Sequence, residues 1–187
     1  LVRLSYDDPV DTYSTNVLGL VNLLDIAKNC KQLKALLNIT SDKCYKNNEW
    51  LWGYRESDQL GGHDPYSNSK ACAELVTSSF RLSFFDQLNI GLATARAGNV
   101  IGGGDWSRDR LIPDFIRAQQ NDTILCVRSP EAIRPWQHVI EPIFGYLNLC
   151  EKLYQDPKKY SDAWNFGPND IGMVDVQTVI SEMQDCM

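Results

Sequence analysis

The residues predict an α/β protein built on part of a doubly wound parallel sheet. Three observations lead there: short continuous apolar runs at 35–40, 90–97 and 163–166, helix-spaced apolar residues between them, and polar or glycine-rich segments at each change. A strand buried on both faces reads as a continuous apolar run, and strands separated by helices imply parallel pairing through crossovers, expected to be right-handed.

Taken in order, residues 11–29 place Val17, Leu20, Val21, Leu24 and Ala27 on one helical face, with Asp11 as the candidate N-cap. The run Ala35-Leu36-Leu37-Asn38-Ile39-Thr40 is too short and continuous for a surface helix and reads as a buried strand. A polar loop then leads to Asp64-Pro65, an N-cap followed by a first-turn proline, and Ala73, Val76, Phe80 and Phe84 give the next helix its buried face as far as Phe85. Residues 90–97 form a second strand that ends in a glycine-rich loop. Beyond it we expect a helix over 111–120, a short strand at 123–127, a helix over 142–154, a strand at 163–166 and a terminal helix from Val174.

Composition narrows the function. With 43% hydrophobic and 22% charged residues the chain is of globular type, and its net charge of -6 with scattered basic residues provides no stripe for a nucleic acid or an acidic membrane. There is no apolar window of bilayer length and no signal-peptide layout at the start, so a cytoplasmic protein is expected. The six cysteines contain no CxxC pair and are expected to be buried free thiols, while His63 and His138 lie far apart, so no metal site is expected.

Two clusters carry chemistry. Tyr66-Ser67-Asn68-Ser69-Lys70 opens a helix, and the four-residue spacing puts a phenol and an ammonium on one face. A tyrosine becomes a base near neutrality when a lysine cation stabilises its phenolate, which suits proton removal from an alcohol coupled to hydride transfer. Thr40-Ser41-Asp42-Lys43 follows the first predicted strand, at the carboxyl end where open α/β sheets place their ligand crevice. Either cluster by itself is also what an ordinary polar turn or helix face contains. Their occurrence together, strand end first and helix start second, favours a catalytic site. Trp50 and Trp52 fit equally a roof over a pocket or the cover of a loop.

The ordered set Thr15-Asn16-Val17, Ser41-Asp42-Lys43, Tyr66 with Lys70, Arg96-Ala97-Gly98-Asn99-Val100-Ile101-Gly102, and Arg134-Pro135-Trp136-Gln137-His138-Val139 resembles the extended short-chain dehydrogenases/reductases that act on nucleotide sugars. Within them, Ser41-Asp42-Lys43, Tyr54-Arg55-Glu56 to Gly61-Gly62, Gly103-Gly104-Asp105-Trp106 and Arg134 to His138 are most similar to the 4,6-dehydratases, in particular those whose sugar is carried on cytidine diphosphate. The resemblance implies a Rossmann-like fold, NAD as cofactor, a nucleotide sugar as substrate, and a homodimer formed through four helices. It implies catalytic roles for Ser41, Asp42, Lys43, Tyr66 and Lys70, cofactor contacts from Thr40, Asn16, Tyr66 and Lys70, and substrate contacts from Asn99, Arg96, Arg110 and Arg134. Related enzymes carry Asp-Glu where this chain has Asp42-Lys43, so the division between acid and base stays open. The runner-up is a 4-epimerase or reductase of the same fold, which has no use for an acid-base pair there. A non-catalytic dinucleotide-binding module would be expected to have lost Tyr66 or Lys70.

A Rossmann-like domain holds the pyrophosphate on a Gly-rich turn between its first strand and helix. No such strand, turn and helix precede Asp11, and the glycine cluster 102–104 comes late. The expectation is therefore a single incomplete domain over 1–187, inactive without its missing parts. Within it, about 1–100 and 138–150 are expected to form the Rossmann-like part, and about 101–137 and 151–187 the substrate-binding part.

Overall fold

A computed structural model describes residues 1–169 and 172–186. They form two compact units, 1–97 with 143–166, and 98–142 with 167–187.

The first unit starts with α1 (Val2–Asp7), α2 (Pro9–Tyr13), a π-helical turn (Ser14–Leu18) and α3 (Gly19–Ala27); from α2 onward the backbone stays right-handed helical, one rod. The N-cap of α2 is Asp8, whose carboxylate accepts the Asp11 N–H at 2.9 Å, so the expected Asp11 cap gives way to the residue before Pro9. Asp8-Pro9 repeats the Asp64-Pro65 pattern: a capping oxygen, then a ring that needs no N–H donor at the first helical position. Strand β1 (Ala35–Ile39) follows and leads through a 3-10 turn (Asp42–Cys44) and a loop to α4 (Pro65–Phe80). A second π-turn (Arg81–Phe85) and α5 (Asp86–Leu88) extend α4, and β2 (Gly91–Ala97), α7 (Ile140–Gln155), α8 (Pro157–Tyr160) and β5 (Ala163–Phe166) complete the unit.

The sheet order is β1-β2-β5, all parallel, with Ala35 opposite Gly91 and Thr94 opposite Ala163. Leu36 and Leu92 face a core made with Leu20, Leu24, Ala73 and Phe85 from the helices before and after β1. Leu37 and Ala93 face the other way, onto Leu149 and Leu153 of α7. The steps β1 to β2 through α4 and β2 to β5 through α7 thus run the same way across the sheet on opposite faces. Such crossovers have opposite hands, so the expectation of uniformly right-handed ones fails. The second step is not the short strand-helix-strand unit that the handedness rule describes, because residues 98–139 run through the other unit before α7 begins.

The second unit contains β3 (Asn99–Ile101), α6 (Leu111–Gln120), β4 (Ile133–His138), β6 (Met173–Asp175) and α9 (Val176–Asp185), in a sheet of order β3-β4-β6. The strand expected at 123–127 is absent: Thr123 and Ile124 are exposed and belong to no ladder, however β-prone the residues. The strand forms at 133–138 instead, where β3 and β6 offer partners, and α9 begins two residues later than expected because Asp175 caps it. The cysteines are free, as expected, but Cys44 is the buried one among those described, whereas Cys30, Cys126 and Cys186 are exposed. No helix among the described residues is long and apolar enough to cross a membrane.

Asp64 anchors the helix that bears Tyr66. Its carboxylate accepts the Ser67 N–H at 2.9 Å and the Ser67 hydroxyl at 2.6 Å, while Gly62 packs so closely on Ser67 that an added Cβ would sit 2.1 Å from the serine's own. Replacing Asp64 with Ala is expected to lower stability by about 1 kcal/mol, read as a shift of the urea midpoint; an unchanged midpoint would discount the cap.

Candidate active site

Each half of the site starts from an element end. On the strand side, β1 delivers Thr40 and Ser41 to the carboxyl edge of the sheet. Ser41 caps the 3-10 turn, its hydroxyl donating to Asp42 Oδ1 at 3.0 Å and accepting the Lys43 N–H at 3.2 Å. Ser41 is buried, Asp42 half-buried and Lys43 exposed. On the helix side, the first turn of α4 is tied to the helices before β1. The Tyr66 N–H donates to the buried Ser5 Oγ at 3.1 Å, Tyr13 OH donates to Asn68 Oδ1 at 2.8 Å, and the Asn16 amide donates to Ser69 Oγ at 2.9 Å. Ser69 Oγ in turn donates to the Tyr66 carbonyl at 2.7 Å, so Asn16 supports the turn that presents Tyr66.

The halves meet. The 3-10 turn packs against α4, with Cys44 on Ala71, and Lys70 Nζ reaches the Ile39 carbonyl at the end of β1, 3.5 Å away. The structure therefore brings the Ser41-Asp42-Lys43 turn beside the helix face bearing Tyr66 and Lys70. Burial is the chief influence on Lys70 and lowers its pKa below the ordinary lysine value, and the Glu74 carboxylate opposes it.

Lys70→Met gives a signed test. A lysine whose folded pKa is depressed costs stability while charged; that cost is fully present below the folded value and fades as pH rises toward the unfolded value near 10.5. The variant is expected to be more stable than its parent at pH 7, with the difference narrowing in alkali. Denaturation midpoints against pH check this, and a variant less stable at pH 7 would refute it.

Beneath these groups lies a buried ion pair. Arg96 Nη2 donates to Glu74 Oε2 at 2.8 Å, with both side chains at most 4% exposed. Glu74 also accepts the hydroxyl of Thr40, and that of Thr94 at 2.6 Å. Arg96 Nη1 donates to Tyr45 OH at 2.7 Å and to the Glu56 carbonyl at 3.0 Å, and Tyr45 OH donates to Asn165 Oδ1 at 2.7 Å. Burial disfavours the Arg96 charge, but Glu74 and Tyr45 outweigh it and hold the guanidinium more firmly protonated than usual. Arg96, expected at the substrate, and Thr40, expected at the cofactor, are thus both committed to this interior network.

The NAD dependent epimerase/dehydratase family matches residues 1–167. This chain belongs to that family. Among its relatives, CDP-glucose 4,6-dehydratase of Salmonella typhimurium is 55% identical over 98% of this chain, which spans 52% of that protein's length. The dTDP-D-glucose 4,6-dehydratase of Dictyostelium discoideum is 29% identical over 63% of the chain and 28% of its own length. Of solved structures, the dTDP-glucose 4,6-dehydratase of Streptomyces venezuelae superposes with a TM-score of 0.82 at 19% identity, covering 99% of this chain and 53% of its own. These values establish the Rossmann-like fold of the epimerase/dehydratase family, and the chain spans about half of the dehydratase that it resembles at 55% identity.

The remaining candidates of this family member lie in the second unit. Asn99 is half-buried in β3, opposite Trp136 of β4; Arg134 is exposed, its Nη1 donating to the Ile133 carbonyl at 2.9 Å; Arg110 pairs with Asp105 at 3.3 Å. Glu74, Thr94, Tyr45 and Asn165 escaped the sequence reading. Glu74 had one legible signal, a carboxylate four residues beyond Lys70 on the same helix face, between the apolar Ala73 and Leu75.

Proposed function

We propose that the intact protein is an NAD-dependent lyase that converts CDP-D-glucose to CDP-4-dehydro-6-deoxy-D-glucose. The observation that carries the reading is the Ser41-Asp42-Lys43 turn packed against the helix face of Tyr66 and Lys70, in a chain 55% identical to a CDP-glucose 4,6-dehydratase. The site suits a dinucleotide: among the described residues Lys70 Nζ has one hydrogen-bond partner, the Ile39 carbonyl, so two of its three N–H groups remain for ribose hydroxyls. NAD, which Lys70 and Tyr66 would hold, would supply the hydride acceptor for C4 of the sugar and the hydride donor for C6.

The chain's own groups move the protons. Tyr66, its phenolate stabilised by the Lys70 ammonium and aided by the Ser41 hydroxyl, takes the proton of the sugar 4-hydroxyl. The 4-ketone acidifies the C5 proton, and Asp42 and Lys43 act as the acid-base pair for elimination, one removing that proton and the other protonating the departing 6-hydroxyl, which leaves as water. An epimerase needs no such pair. Asn99, Arg134 and Arg110 are assigned to the nucleotide diphosphate, as substrate ligands of the second unit, and residues of the first unit to the cofactor.

The same reading has the enzyme cytoplasmic and dimeric. Val10, Leu18, Leu23 and Ile26 on the first long helix and Leu75 and Leu82 on the second are exposed apolar residues, which supports a second copy as their cover.

The test is incubation of the full-length protein with CDP-glucose and NAD, beside dTDP-, GDP- and UDP-glucose, following the alkaline ultraviolet absorbance of the 4-keto sugar. A CDP-selective signal is expected. Folded, NAD-binding protein that yields no keto product from any of them would overturn the dehydratase, and a 4-epimer would replace it with an epimerase.

A further inference from the structure

The turn carrying Ser41, Asp42 and Lys43 is bounded by Thr40 and Tyr45, both buried, and one ion pair holds both bounds. Thr40 donates to Glu74, and Tyr45 OH accepts from Arg96 with the guanidinium carbon 5.0 Å from its ring centroid. Glu74 also sits one turn beyond Lys70 on the face of α4 that begins with Tyr66. The pair therefore links the strand-end turn at two points to the helix carrying the other proton-handling groups.

We propose that Glu74 and Arg96 form a positioning clamp that holds the Ser41-Asp42-Lys43 turn in register with Tyr66 and Lys70. Its effect on turnover rests on the dehydratase reading; the mechanical link does not. A buried ion pair is commonly no more stabilising than apolar side chains of similar volume, so stability is a poor reason for one here. What the charges add is direction. Glu74 accepts from Thr40, Thr94 and Arg96, and Arg96 donates onward to Tyr45 and the Glu56 carbonyl, each along a set line. Apolar contact is non-directional and lets the turn slide, and a displacement of about 1 Å in a proton-transfer site costs on the order of 10²-fold in rate. Glu74 and Arg96 are in this account positioning residues that act through Thr40 and Tyr45.

The test uses the full-length protein with the pair exchanged for apolar residues, Glu74→Leu with Arg96→Met, and separately Tyr45→Phe, which cuts one tether and leaves the pair intact. Denaturation midpoint, kcat, KM and amide hydrogen exchange at residues 41–45 are measured for each. The clamp predicts that the double variant keeps a near-parental midpoint, loses at least about tenfold in kcat with little change in KM, and exchanges its 41–45 amides at least about tenfold faster, with Tyr45→Phe moving the same way by less. Parental kcat and exchange in a folded double variant would make the pair merely structural and overturn the proposal. So would a rise in KM at constant kcat, which marks Arg96 as a substrate ligand. If the double variant does not fold, Tyr45→Phe decides alone, parental exchange and kcat overturning the clamp. A parent protein without keto product would fail the dehydratase reading, and the exchange rates would still decide the clamp.

Discussion

Tyr66→Phe in the full-length protein is expected to abolish formation of the 4-keto sugar, with a loss of about 10³-fold in kcat while NAD and CDP-glucose still bind. The substitution deletes one oxygen and spares the cap at Asp64, the tie from the Tyr66 N–H to Ser5 and the support of the Tyr66 carbonyl by Ser69, which all use other atoms. On the proposed function, what is lost is the group assigned to take the proton of the 4-hydroxyl, without which the hydride transfer, elimination and reduction of that reading do not proceed. Binding is measured by calorimetry and turnover by alkaline absorbance. A Tyr66→Phe protein retaining more than about a tenth of parental kcat would remove Tyr66 from the role of base.

The second large effect is on stability. Arg96→Met leaves the Glu74 carboxylate 4% exposed with its cation gone and the Thr40 and Thr94 hydroxyls as its remaining donors. Burying a carboxylate with no cation hydrogen-bonded to it costs more than two hydroxyl hydrogen bonds return, so a loss of about 3–5 kcal/mol is expected. Urea denaturation at pH 7 reads it directly. A loss below about 1 kcal/mol would mean that water or a shifted backbone already reaches Glu74, contrary to its burial.

Much of this was visible before folding. The helix face of Val17, Leu20 and Leu24, the three strands of the first sheet and the helix start at Asp64-Pro65 follow from local patterns of apolar spacing and capping that neighbours then reinforce. The pairing of Tyr66 with Lys70 was legible for the same reason, since four residues on a helix are one turn apart. Less local features were not. Residues 123–127 have the composition of a strand but no ladder to join, whereas Arg134-Pro135-Trp136 became one because β3 and β6 lie beside it. Strand formation is decided by partners that the segment's own residues do not name.

Arg96 makes the same point about function. The family resemblance implied a substrate contact for it, whereas burial turns it inward onto Glu74 and Tyr45. Primary structure was sufficient for the fold class, which rests on local apolar spacing, for the family, which rests on an ordered set of short motifs, and for setting Tyr66 and Lys70 one helical turn apart. Which polar residues face the crevice and which are drawn beneath it depended on elements up to 120 residues apart meeting, as Tyr45 meets Asn165. A charge taken out of water must find its partner wherever the fold brings one, and spacing along the chain carries no record of that meeting.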